Sequence, residues 1–184
     1  MSRRPTKWIN PANLSTFARI LLIFPTAYGI IRGQTLLSVG GFGLIIVSDV
    51  LDGVLARRLE TPNRFGTLID HGADAIVVVS LSFIFSRMNL CPVLLPAAIA
   101  LAFSHYALDA TRINGRTPRP SVLGKINGIA YFVFCATCLL FTLTQETLTK
   151  ETADTSALVI NIFSWILIAS SFASIGQRFT LNKN

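Results

Sequence analysis

"SDVLDGVLARRLETPNRFGTLIDHGADA", Ser48 to Ala75, sets four aspartates at the adjoining ends of two apolar segments. Asp49 and Asp52 are three residues apart, and Asp70 and Asp74 are four apart. On a helix each of these pairs shares one face. Pro62 and Asn63 mark a turn between them. The short connection makes the two helices antiparallel neighbours whose acidic faces can meet.

The surrounding chain says where that meeting takes place. The protein has 184 residues, of which 52% are hydrophobic and only 14% charged, with a mean hydropathy of +0.59. This is too apolar for a soluble domain of its size. A spanning helix needs about 20 mostly apolar residues. Six stretches qualify: Leu14–Ile31, Leu36–Ala56, Phe65–Met88, Val93–Thr111, Val122–Leu143 and Ser156–Ile175. The expected fold is therefore all-α, one integral membrane domain over residues 1–184 with six transmembrane helices. Residues 1–12 form a cytoplasmic or interfacial lead-in, and no internal repeat is visible. Arg3, Arg4 and Lys7 before an apolar run resemble a secretory leader. No small-residue cleavage site follows, however, and the run carries Asn13, Thr16 and Arg19, so retained structure is expected.

The net charge of +7 reports topology here rather than nucleic-acid binding. With the N-terminus inside, the inner segments hold Arg3, Arg4, Lys7, Arg19, Arg57, Arg58, Arg64, Arg112, Arg116, Arg119, Lys125, Arg178 and Lys183. The outer loops hold Arg32, Arg87 and Lys150. This asymmetry places both termini and the aspartates on the cytoplasmic side; the expected location is the cell inner membrane. Cys135 and Cys138 form a CxxC by spacing but sit inside an apolar segment; with Cys91 they read as packing residues.

Four carboxylates at a membrane interface are costly. Two like charges about 4 Å apart repel by roughly 4 kcal/mol at an effective dielectric near 20. Either some are protonated or cations sit among them. Hard oxygen donors suit Mg²⁺, Mn²⁺ or Ca²⁺, and no His or Cys cluster competes for zinc. Helix capping accounts for Asp70 and Asp74, at a helix start, but not for Asp49 and Asp52 near a helix end. Gly53 and Gly66 beside the carboxylates suit close approach of a ligand to the backbone. Arg57 offers a fork that suits phosphate. Together these residues describe a site for a diphosphate and its metal.

The stretch resembles the signature of the CDP-alcohol phosphotransferases, D-x2-D-G-x2-A-R-x8-G-x3-D-x3-D. All eight fixed positions are present with every spacing intact: Asp49, Asp52, Gly53, Ala56, Arg57, Gly66, Asp70 and Asp74. Asn13, Thr16 and Arg19 resemble the family's N-x-x-T-x-x-R entry to the first span. The resemblance implies six transmembrane helices, a homodimer, and an active site facing the cytoplasm. It implies transfer of a phosphatidyl group from CDP-diacylglycerol to an alcohol with release of CMP, in phospholipid biosynthesis. By position, Asp49, Asp52, Asp70 and Asp74 would hold two Mg²⁺ or Mn²⁺ ions, and Asp74 would also be the catalytic base. Gly53, Ala56, Arg57, Asn63, Gly66, Asn13 and Thr16 would bind the CDP donor. Asn63 stands where the family more often has Ser or Thr.

The acceptor is read from the next helix and loop. His105, Asp109 and Arg112 form one stripe on the fourth segment, and Arg116, Arg119 and Lys125 follow. These six residues are the candidate acceptor site, and their charge favours a phosphate-bearing alcohol. Glycerol 3-phosphate and phosphatidylglycerol are the leading choices; inositol phosphate, inositol and serine are the alternatives. His71 and Ala75 stand where the glycerophosphate-using members often have Pro and Lys. Two other classes compete. A cation or proton carrier would use the carboxylates and His105 but needs none of the small residues or Arg57. A noncatalytic scaffold needs none of the eight fixed positions.

Overall fold

A computed structural model describes residues 11–58, 64–112 and 122–181, with side chains over 16–51, 68–108 and 122–178. Among the described residues there are six helices: α1 (Pro11–Arg32), α2 (Thr35–Arg58), α3 (Arg64–Arg87), α4 (Leu94–Arg112), α5 (Val122–Thr144) and α6 (Lys150–Leu181). By length and composition, Leu68–Arg87, Val122–Thr144 and Lys150–Arg178 are each apolar enough to cross a membrane. The described parts of α2 and α4 add shorter apolar stretches, Thr35–Leu51 and Leu94–Leu108.

Two turns show how the chain reverses. Gly33 has φ +65°, and the Gln34 amide reaches back to the Gly29 carbonyl at 2.8 Å. A left-handed residue just past a helix end satisfies carbonyls that would otherwise be orphaned. Asn89 does the same after α3, with φ 61° and the Leu90 amide donating to the Phe85 carbonyl at 3.0 Å. The α1–α2 hairpin is closed by glycines. A Cβ on Gly29 would lie 2.5 Å from the Ser38 nitrogen, and one on Gly41 would fall on the Thr26 hydroxyl. Only a residue without a side chain lets the backbones approach this closely.

α3 packs against α1, α4 and α5, while α6 packs against α4 and α5. Val77, Leu81 and Phe85 of α3 meet Leu95 of α4 and Phe134, Cys135 and Cys138 of α5 in the core. The cysteines are free and fully buried among apolar neighbours, in the packing role expected of them. The outer surface is unlike that of a soluble protein: Leu36, Phe24 and Ile129 are all at least 70% exposed. Buried positions include Thr26, Ser38, Ser82, Ser164 and Ser171. Small polar residues between helices and large apolar ones outside are the distribution a bilayer favours.

Candidate active site

Arg19 lies in an apolar stretch of α1 and is completely buried. An unpaired arginine there would cost about 2.5–3.5 kcal/mol on insertion scales. Its partners come from two other helices. Nη1 of Arg19 lies 3.2 Å from Asp49 Oδ1 on α2 and 3.2 Å from Asp70 Oδ1 on α3. The same nitrogen donates to Asp74 Oδ1, one turn further along α3. The acidic faces of α2 and α3 thus meet across a cation from α1. Thr16, one turn before Arg19, is buried on the same side of its helix.

One guanidinium cannot neutralise three carboxylates. The donors are hard oxygens, and their side chains remain between a quarter and two-fifths exposed. That chemistry fits a divalent ion. Among the described residues, however, no group of three or more His, Cys, Asp or Glu side chains is disposed to hold one metal ion. Asp49, Asp70 and Asp74 converge on the Arg19 nitrogen, and the fourth aspartate of the expected set cannot be placed beside them. The side chain of Asp52 lies outside those described, as do those of Gly53, Ala56, Arg57, Gly66 and Asn13, and Asn63 lies outside altogether.

The acidic cluster opens onto a cavity of about 550 Å³, within the range of small-molecule sites. Asp49, Asp74, His71, Tyr106, Lys125 and Arg178 all line it. Asn127, Tyr131 and Ser174 supply further polar wall. These residues come from the beginnings of α3 and α5 and the ends of α2, α4 and α6, so neighbouring helices alternate in direction. Arg178 is 9% exposed, and its Cζ sits 4.7 Å from the Tyr106 ring centroid. The His71 ring stacks on the same tyrosine, with centroids 5.8 Å apart. Tyr106 is thus a platform between an imidazole and a cation.

Of the expected acceptor residues, Lys125 lines the cavity. His105 is half-buried and does not, because the cavity-facing row on α4 runs through Ile99, Phe103 and Tyr106. Asp109 and Arg112 lie on the last turn of α4 with side chains outside those described, and Arg116 and Arg119 lie outside the described residues. Arg19, Tyr106, Asn127 and Arg178 were not among the site residues expected from the sequence. For Arg19 the sequence carries a signal, since an ionisable residue inside an apolar run is a functional candidate by default.

The family model for CDP-alcohol phosphatidyltransferase matches residues 9–176. The chain belongs to that family. It is 26% identical over 145 residues to a CDP-diacylglycerol–glycerol-3-phosphate 3-phosphatidyltransferase of Bacillus subtilis (strain 168), covering 77% of this chain and 70% of the relative. It is also 26% identical over 137 residues to a probable cardiolipin synthase (CMP-forming) of Drosophila melanogaster, covering 62% of this chain. The chain spans 42% of the length of that second relative. No solved structure matches it.

Proposed function

We propose that this protein transfers the phosphatidyl group of CDP-diacylglycerol to a phosphate-bearing alcohol, glycerol 3-phosphate or the head group of phosphatidylglycerol, and releases CMP. One observation carries the reading: Asp49 and Asp74, two of the aspartates gathered by Arg19, line a cavity that Lys125 and Arg178 also line. The carboxylates suit a metal-bound diphosphate, and the cations in the same cavity suit an anionic acceptor. The bacterial relative's name gives glycerol 3-phosphate as its acceptor, and the other relative is named as a CMP-forming cardiolipin synthase.

In this scheme a bond forms between the acceptor oxygen and the lipid-side phosphorus, and the bond from that phosphorus to CMP breaks. Asp49, Asp52, Asp70 and Asp74 would hold Mg²⁺ or Mn²⁺, which when bound neutralises the diphosphate and the leaving group. Asp74 takes the proton of the attacking hydroxyl, since it lines the cavity where that hydroxyl sits. Lys125 and Arg178 orient the acceptor phosphate so that its alcohol faces Asp74. Holding two reactants in register supplies much of the acceleration in such transfers. Gly53, Ala56, Arg57 and Gly66 are assigned to the CDP donor, with Asn13, Thr16 and Asn63 beside them. The working arrangement is a homodimer of six-span subunits in the inner membrane, with both termini and the cavity mouth facing the cytoplasm. The excess of Lys and Arg on that side supports this orientation.

The test uses purified protein with Mn²⁺ and CDP-diacylglycerol, with CMP and lipid product followed by mass spectrometry. Release of CMP that depends on glycerol 3-phosphate or phosphatidylglycerol is the expected outcome. Release only with inositol or serine would replace the acceptor assignment. Cation flux in liposomes without any CMP would replace the enzyme with a carrier.

A further inference from the structure

Tyr106 joins three helices through its ring. It sits on α4, stacks on His71 of α3, and carries the guanidinium of Arg178 from α6, with Cζ 4.7 Å from the ring centroid. Phe103, one turn earlier on α4, tilts against the same ring with centroids 6.2 Å apart. Phe103 in turn lies against α3, where a Cβ on Gly72 would touch its ring at 3.5 Å. The Tyr106 ring is therefore held by its own helix and by α3, the helix that carries Asp74. His71, Asp74, Tyr106 and Arg178 all line one cavity.

Arg178 stands in the last turn of α6 on a long side chain. Fixing such a chain on a ligand costs rotamer entropy. A partner that holds the guanidinium beforehand removes that cost from binding. The face of an aromatic ring is negative and attracts a cation, more strongly where water is excluded. Arg178 is 9% exposed, so its contact with Tyr106 is of the stronger kind. Resting on the reading of the cavity as the acceptor site, we infer that Tyr106 is a positioning residue, whose ring face holds Arg178 where the acceptor's phosphate docks. The ligand class is an alcohol that carries a phosphate, free or as a lipid head group. Tyr106 acts through Arg178, and by its ring rather than its hydroxyl. Its removal therefore has nothing left to disturb once Arg178 is gone.

The experiment uses the full-length protein with Mn²⁺ and CDP-diacylglycerol, with glycerol 3-phosphate in one arm and phosphatidylglycerol in the other. The arm that releases CMP identifies the free or the lipid source, and the variants are read in that arm. Tyr106→Leu should raise the acceptor KM by about tenfold, with kcat and the KM for CDP-diacylglycerol within about threefold of wild type. Tyr106→Phe keeps the ring face and should hold the acceptor KM within about threefold of wild type. In an Arg178→Ala background, adding Tyr106→Leu should change the acceptor KM by less than about twofold. Where Tyr106→Leu does not fold, a ring-fluorinated phenylalanine at position 106 keeps the shape and weakens the negative face; its acceptor KM should exceed that of Tyr106→Phe by about threefold or more. The inference is overturned by an unmoved acceptor KM in Tyr106→Leu, by a loss in Tyr106→Phe as large as in Tyr106→Leu, or by an undiminished effect of Tyr106→Leu without Arg178. A fluorinated ring that behaves like Tyr106→Phe overturns it as well. A wild type that releases CMP with neither acceptor removes the acceptor reading itself, and the inference with it.

Discussion

Replacing Arg19 by Met keeps the length of the buried side chain and removes its charge. Asp49 Oδ1 and Asp70 Oδ1 each lie 3.2 Å from Arg19 Nη1, so they can be no further apart than twice that distance. At about 6 Å and an effective dielectric of 20, two charged carboxylates repel by roughly 3 kcal/mol. Asp74, on the same nitrogen, adds to the repulsion. Breaking a buried pair by deleting one partner costs about 3–5 kcal/mol. The partial exposure of these aspartates moves the expectation to the lower end of that range. For a chain of this length, about 3 kcal/mol corresponds to a fall of roughly 6–12 °C in Tm. The variant and wild type would be melted in detergent with EDTA and again with millimolar Mn²⁺. A divalent ion among the same carboxylates should restore most of the lost stability. No loss in EDTA would refute the claim that Arg19 is the cation holding the acidic faces together, and an equal loss with Mn²⁺ would refute binding of a divalent ion among the same carboxylates.

Asp74→Asn should lower kcat by about 10²–10⁴-fold while leaving CDP-nucleotide binding largely intact, as measured by single-turnover and binding assays; near-normal turnover would remove Asp74 as the base. Lys125→Ala and Arg178→Ala should each raise the acceptor KM by about 10-fold or more, the loss expected for a charge-assisted hydrogen bond, with donor KM little changed. Arg116→Ala and Arg119→Ala should raise the same KM if the loop joins the acceptor site, and an unchanged value would exclude it. At the α1–α2 hairpin, Gly41→Ala should destabilise by about 1–3 kcal/mol because its Cβ meets Thr26. Gly40→Ala, where a Cβ meets nothing, should be neutral or stabilising by up to about 1 kcal/mol; equal melting of the two variants would contradict the close approach.

The spacings Asp49–Asp52 and Asp70–Asp74, with the short connection between them, made an acidic meeting of α2 and α3 readable before any coordinates, because i, i+3 and i, i+4 relations are local. The partnership with Arg19 was not readable. It joins residues 30 to 55 positions apart, and helical periodicity does not say which helix lies beside which. The rotation of each helix was hidden for a different reason. Lipid is as apolar as a packed core, so hydrophobicity marks a span without marking its buried face. Charge alone pointed to a stripe through His105, whereas the cavity is lined by the row through Tyr106 one residue away. Asn127 and Ser170 gave no signal separately, and their meaning lies in the contact between α5 and α6. Helix ends were readable to within a turn except at α6, which begins at Lys150 rather than at the apolar run from Ser156. Its first turns are polar and suit an interface.

The central claim is that the aspartates of α2 and α3 are where a divalent ion and a nucleotide diphosphate meet. Anomalous diffraction at the manganese edge, from crystals grown with Mn²⁺ and CDP, tests it most directly. The account predicts manganese within about 2.0–2.6 Å of carboxylate oxygens of Asp70 and at least one of Asp49 and Asp74, with the CDP diphosphate on the same ion. Manganese bound elsewhere, or CDP seated away from these carboxylates, would contradict it.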